Sequence, residues 1–199
     1  MDYHELLKLA GGVLAVFLFL PLVIGVFRDG GAGQSFATWL LWAALDCVVT
    51  VSVILQRGNY YVLAGFAIGS IAMTLALLSK RRYGWGRFES LILVLVVCCL
   101  VAWWLGGPKT ATVAATLGIC VAGIPAMVEL WRQPNRKLGN IWGWYVLANG
   151  LAFLGGRAMT VEERFAPGVF AVQSLLLFAA SRRAGFMAIC HPKKAKNIQ

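Results

Sequence analysis

Residues 21–28 read PLVIGVFR, and 104 positions later residues 125–132 read PAMVELWR, with Pro on Pro and Arg on Arg. The same offset returns further along, where 66–70 is FAIGS and 170–174 is FAVQS. Between these landmarks Trp39, Trp42 and Asp46 correspond to Trp142, Tyr145 and Asn149 at an offset of 103, which needs one residue fewer in the second connection. Landmarks of uncommon residue types held at nearly one offset identify an internal repeat, and a repeat constrains the whole fold before any single element does.

The repeating unit is built for a bilayer. With 60% hydrophobic and 13% charged residues and a mean hydropathy of +0.75, the chain has too few polar groups to coat a water-soluble surface; soluble domains carry about a quarter charged residues. Apolar runs close to the ~20 residues that cross a hydrocarbon layer recur along the chain. Taken between charge clusters they predict seven spans, at 6–27, 36–55, 60–78, 88–105, 110–131, 141–156 and 165–180. The runs are continuous instead of alternating over ~10 residues, which selects helices over a β-barrel, the other architecture that leaves no backbone group unpaired in lipid. The first run follows a stretch carrying Asp2 and Glu5 where a signal peptide carries positive charge, so it is read as a retained span. Cys47, Cys98, Cys99 and Cys120 fall inside apolar runs, and with Cys190 they show no metal-type spacing.

Orientation follows from Lys and Arg, which are retained on the cytoplasmic side. In a seven-span chain thirteen of the 18 basic residues fall on one side, including Arg28, the cluster Lys80, Arg81, Arg82 and Arg87, and Lys193, Lys194 and Lys196. Only Lys8, Arg57, Lys109, Arg157 and Arg164 fall on the other. The expected protein is therefore an integral one of a plasma or inner membrane, with its N-terminus outside and its C-terminus in the cytoplasm. This asymmetry accounts for the net charge of +10 and calls for no nucleic-acid partner, while the basic tail can rest on anionic lipid.

Spans one to three match spans five to seven, and span four has no counterpart. An odd helix between two three-helix units gives both units the same orientation, so the halves are related by an axis along the membrane normal. The expected architecture is an all-α, 3+1+3 pseudo-symmetric bundle. It comprises a first repeat at 1–83, a linker helix at 84–108, a second repeat at 109–185 and a basic tail at 186–199.

From Pro21 to Asp46, a helix-ending Pro, a basic residue seven positions on, a short polar connection, and then Trp42 and Asp46 resemble the PQ-loop superfamily. That superfamily includes the SWEET sugar carriers, the lysosomal cystine and cationic amino-acid carriers, and bacterial vitamin-precursor carriers. Pro125 through Asn149 is the second copy. The signature Gln is replaced by Leu22 and Ala126, and spans two and six lack the prolines that complete the SWEET tetrad. The resemblance implies the SWEET-like fold and alternating-access transport of a small polar solute, without choosing a branch. Its alternative is a receptor or scaffold without transport, as in the KDEL receptors, because one fold hosts many functions.

Independently of the resemblance, Asp46 stands out. Ten residues into a helix starting at 36, at ~1.5 Å each, it lies about 15 Å inside a ~30 Å layer. A carboxylate there costs at least ~2.5 kcal/mol, so such residues face a cavity, carry a proton or meet a cation. A protonated Asp bonded between helices is the plainer alternative. Trp39, Trp42 and Asp46 lie at i, i+3 and i+7 on one helix face, and Trp142, Tyr145 and Asn149 repeat that face. Counted from the opposite side, Ser70 and Ser174 reach the same depth, with Gln173 adjacent. These residues form the expected substrate site, at the midplane on the pseudo-symmetry axis. Aromatic walls with a few polar groups suit a small neutral or cationic solute such as a sugar, amino acid, amine or vitamin precursor, and no Lys or Arg reaches that depth to meet an anion. Pro21 and Pro125 interrupt helix hydrogen bonding and are the expected hinges.

Bland readings stand beside these. Trp39 and Trp142 begin near an interface and fit an aromatic belt, while Ser70 and Ser174 fit back-bonding or close packing within helices. Glu89 and Glu129 neighbour Arg87 and Arg132 and read as surface pairs; Glu162, Glu163 and Arg164 read as a solvated loop. Neither His4 nor His191 lies inside a span, and no Ser has an intramembrane base to activate it, so the chain reads as no enzyme and as needing no cofactor or metal. The implied partners are a small-molecule substrate, the lipid bilayer and, if Asp46 titrates during the cycle, protons.

Overall fold

Long uncharged runs fold into helices because, away from water, a ladder within the segment satisfies every N–H and C=O. The computed structural model describes residues 2–29, 35–80, 85–134 and 136–190, and all regular structure among them is helical. The glycine-rich connection at 30–33, Arg81 and Arg82, and the tail beyond residue 190 lie outside the described residues. The helices are α1 (Tyr3–Asp29), α2 (Phe36–Leu55), α3 (Tyr61–Ser79), α4 (Arg87–Ala122), α5 (Ile124–Arg132), α6 (Arg136–Gly155) and α7 (Ala166–Cys190), with a π-helical turn at Val161–Phe165 before α7. Five stretches are long and apolar enough to cross a membrane: Tyr3–Arg28, Phe36–Leu55, Tyr61–Ser79, Arg87–Arg132 and Val161–Arg183. α6 carries Arg136, Lys137, Asn140 and Asn149 along its 20 residues and is not among the five. α7 continues to Cys190, into the stretch expected to be tail.

Two breaks interrupt the stretch from 87 to 132. Gly107 has a φ of 72° and a ψ of −172°, and Pro108 follows it. Proline disfavours the helical region for the residue before it, and glycine takes the left-handed φ without steric cost, so the pair ends one helix and begins the next. The second break falls at Gly123, where α5 starts with Pro125 in its first turn, a position at which the missing N–H costs nothing. α1, in contrast, runs unbroken across Pro21. Of the two expected hinges, Pro125 lies at a joint and Pro21 does not.

α3 packs against both α1 and α2, and α7 packs against both α6 and α5. These two groups of helices meet where α1 packs on α6, and α2 packs on α4. Glycines make the crossings close. A Cβ at Gly11 would stand 2.7 Å from the Ala148 carbonyl oxygen, and one at Gly12 would stand 2.7 Å from that of Tyr61; small residues at such points let helix backbones approach. Phe17 on α1 and Leu91, Val94 and Trp104 on α4 face outward. That apolar surface suits lipid.

Candidate substrate site

α2 begins at Ser35, whose side chain accepts from the Thr38 N–H at 3.3 Å. This start sets the rotation of α2 and directs Trp39, Trp42 and Asp46 to one side. α6 directs Trp142, Tyr145 and Asn149 toward the same space, and the two faces enclose a cavity of about 520 Å³, within the 300–1,000 Å³ common for small-molecule sites. Eight of the nine expected site residues line it: the six above with Gln173 and Ser174 of α7. Trp39 and Trp142 thus stand in the cavity wall. Ser70 is buried behind the lining, where its hydroxyl donates to the Phe66 carbonyl of its own helix at 2.8 Å. Pro125 lines the cavity and Pro21 does not. Of the segment 87–106, only Phe88 takes part.

The wall is a continuous array of rings. Trp39 meets Trp42 edge-on with centroids 5.2 Å apart, and Phe19 of α1 meets Trp39 at 6.0 Å and Tyr145 at 5.9 Å. Tyr145 meets Phe66 of α3 at 5.6 Å, and Phe66 meets Phe170 of α7 at 5.9 Å. Edge-to-face geometry at these distances adds to what burial alone contributes. Five helices, α1, α2, α3, α6 and α7, therefore hold one another's rings in place.

Polar groups interrupt this array sparingly. Asn149 donates to the Tyr145 carbonyl at 2.9 Å, while its Oδ1 is buried without a partner. The indole Nε1 atoms of Trp42 and Trp142 are likewise buried and unpartnered. Gln173 accepts from the Cys120 thiol at 3.6 Å and lies over the joint at Gly123, where any side chain would overlap its carboxamide. Among the described residues no Lys, Arg or His forms an ion pair with Asp46. No group of three His, Cys, Asp or Glu side chains among them has metal-binding geometry.

Two acids take roles the sequence did not reveal. Glu89 receives the hydroxyls of Ser35 and Thr38 at 3.0 and 3.2 Å and the Gly86 N–H at 2.9 Å, which ties the start of α4 to the start of α2. Glu129 lines the cavity mouth. Neither is ion-paired with Arg87 or Arg132 among the described residues, against the expectation of surface pairs. Serine, threonine and glutamate at helix starts carry a capping signal, but nothing in the sequence joins 35 to 89.

The cavity lining reaches the end of the bundle where α2, α4 and α6 begin; the far end is packed shut. There Lys8 is 4% exposed and pairs with Glu163 at 3.1 Å and Glu5 at 3.5 Å. Arg157 joins Asp2 and Glu5, and the Tyr61 hydroxyl donates to Glu5 at 3.1 Å. The Arg157 guanidinium and, first, the Glu5 N–H beside it hold the Asp2 carboxyl below its ordinary range. Asn59, fully buried, donates from its amide to the Ala152 carbonyl at 2.7 Å and from its backbone to that of Glu162 at 2.9 Å. Glu163 is therefore a structural partner of α1, where the sequence indicated a solvated loop.

Comparison of the chain with family models, curated proteins and solved structures finds no match in any of the three.

Proposed function

We propose that the chain is a membrane carrier that moves a small polar solute by alternating access, with the SWEET-like, 3+1+3 architecture that the PQ-loop resemblance implies. The observation that carries the reading is the cavity itself. Equivalent faces of the two repeats supply its walls, Asp46 and Asn149 stand on them, and it reaches one end of the bundle while an ionic cluster packs the other.

Seven spans are favoured over five by length. The Arg87–Arg132 stretch holds 46 residues, or about 69 Å at 1.5 Å per residue, more than twice a ~30 Å layer. The break at Gly107 and Pro108 divides it at a suitable point. α6 packs on α1 and α7, so a position outside the bilayer would strip two apolar helices of their cover. The matching order of the helices in the two triplets supports domain limits at 1–83, 84–108 and 109–185. With the basic residues inward, the cavity is the cytoplasm-facing state of a plasma-membrane or inner-membrane protein, and Lys8 belongs to the outer end.

Proton coupling is read from position: Asp46 lines the cavity and, among the described residues, no Lys, Arg or His forms an ion pair with it. A carboxyl that takes a proton when closed off and gives it up when the cavity faces water links transport to pH.

The test is a thermal-shift screen of the purified chain against sugars, amino acids, amines and nucleosides, because a ligand that binds only the folded state raises its apparent stability. Counterflow of each hit follows in vesicles. Saturable binding without counterflow refutes the carrier and leaves a receptor.

A further inference from the structure

Resting on the reading of this cavity as the solute site, we infer that it selects organic cations: an alkylated or ring-delocalised cationic centre on a molecule that carries no carboxylate or phosphate. The chain has 18 basic and eight acidic residues. Its described cavity lining nevertheless contains Asp46 and Glu129 and no Lys, Arg or His. A third carboxylate, Glu89, stands directly behind Ser35 and Thr38, both of which line the mouth. In a protein of net charge +10 the cavity is thus a place where, among the described residues, acids gather without bases. An anion entering it finds no counter-charge, and a buried unpaired charge is among the costliest arrangements a protein can hold. The anionic end of a zwitterion meets the same obstacle.

The walls narrow the class further. Trp39, Trp42, Trp142 and Tyr145 line the same space as Asp46, and the negative face of an aromatic ring attracts a cation most when both are removed from water. A small metal ion is unsuited to such walls, because its strong hydration must be replaced by several oxygens and the lining is mostly hydrocarbon. A weakly hydrated ammonium or a flat charged heterocycle loses little on entering.

Choline, benzyltrimethylammonium, 3,3-dimethylbutanol, glucose and glutamate form a probe panel for the purified full chain, read by tryptophan fluorescence and thermal shift. Dimethylbutanol has the shape of choline with a neutral carbon in place of nitrogen. Both cations bind, choline about tenfold or more tighter than its neutral isostere, and Asp46→Asn removes most of that preference. Equal affinity for choline and dimethylbutanol overturns the inference, as does a panel in which neither cation binds. Binding of glutamate as tight as that of choline overturns it too. An unchanged preference in Asp46→Asn overturns the assignment of charge recognition to that carboxylate. The isostere comparison is made in the wild type, so it holds even if the variant fails to fold. Vesicle counterflow separates this inference from the carrier reading: a cation bound but not moved removes the carrier and leaves the selectivity, whereas glucose moved with neither cation bound does the reverse.

Discussion

Replacing Lys8 with Met removes an ammonium from the packed end of the bundle and keeps most of its volume. Lys8 is 4% exposed, and its partner Glu163 is 13% exposed in its side chain at 3.1 Å. Removing one member of a buried pair costs about 3–5 kcal/mol because the other charge is left uncompensated. Here the loss is smaller. Glu163 keeps the Arg157 backbone N–H at 3.1 Å, and Glu5 keeps both Arg157 at 3.4 Å and the Tyr61 hydroxyl at 3.1 Å. We expect Lys8→Met to cost about 2–3 kcal/mol and Glu163→Gln about 2 kcal/mol. The double variant costs less than their sum by about 1–2 kcal/mol, since it leaves neither charge stranded. Equilibrium unfolding in mixed detergent micelles, followed by tryptophan fluorescence, gives all four corners of the cycle. Single variants within about 0.5 kcal/mol of wild type, the range of exposed surface pairs, would show that water already solvates both groups and that the far end is not held by this pair.

Once a substrate is known, uptake across a pH series by wild type and Asp46→Asn tests coupling through this carboxyl: the variant transports with a flat profile, and superimposable profiles exclude coupling. Gly11→Val places a branched side chain where a Cβ alone would stand 2.7 Å from the Ala148 carbonyl, so it destabilises by about 1–3 kcal/mol in the same unfolding assay; a neutral effect would mean that α1 and α6 do not cross so closely. Asn59→Ala removes the 2.7 Å bond to Ala152 and costs about 1–3 kcal/mol, most of it from the carbonyl left buried and unpaired; an exchange-resistant amide network at this end in the variant would contradict that. A fluorescent reporter at the C-terminus lights up in the cytoplasm while a tag before Asp2 is reached from outside, and both ends on one side would remove the seven-span reading.

The helices and the aromatic faces were legible because each depends on neighbours in sequence. An uncharged run of 20 residues needs no partner to be recognised, and the spacing of Trp39, Trp42 and Asp46 places them on one face of any helix. Phe66 and Phe170 stood in plain view inside FAIGS and FAVQS, but a repeated Phe in an apolar helix reads as packing until its neighbours are known. Glu129 and Glu89 were misread for a different reason: near a helix end, an acid beside an arginine looks the same whether it faces water or a cavity mouth. Lys8 and Glu163 are 155 positions apart, and no local pattern joins them. The break at Gly107 and Pro108 falls between the expected spans at 88–105 and 110–131, whereas the break at Gly123 was hidden inside the second of these by a hydrophobic run that continues on both sides of it.

At the packed end of the bundle, the energetics of Lys8 and Glu163 under the carrier reading differ between mutation and motion. A substitution strands one charge in a packed interface, and the stranded group bears its whole desolvation cost. Opening that end of a carrier to water strands neither, because both groups regain hydration as they part. The lost attraction is then repaid by solvent, and the net cost of separating a desolvated pair into water is small. The corresponding junction of the other half, 104 positions from Lys8, is Thr112, which receives the Gln56 amide at 2.8 Å and carries no charge. That neutral bond lies between α4 and α2, just past the break at Gly107, and the second break at Gly123 follows on the same stretch of chain. α1 has no such joint, since it runs unbroken across Pro21. Motion between the halves under the carrier reading therefore concentrates at Gly107, where the linker meets the second repeat, and at Gly123 within that repeat, with α1 moving as a rigid rod that carries Lys8 away from Glu163.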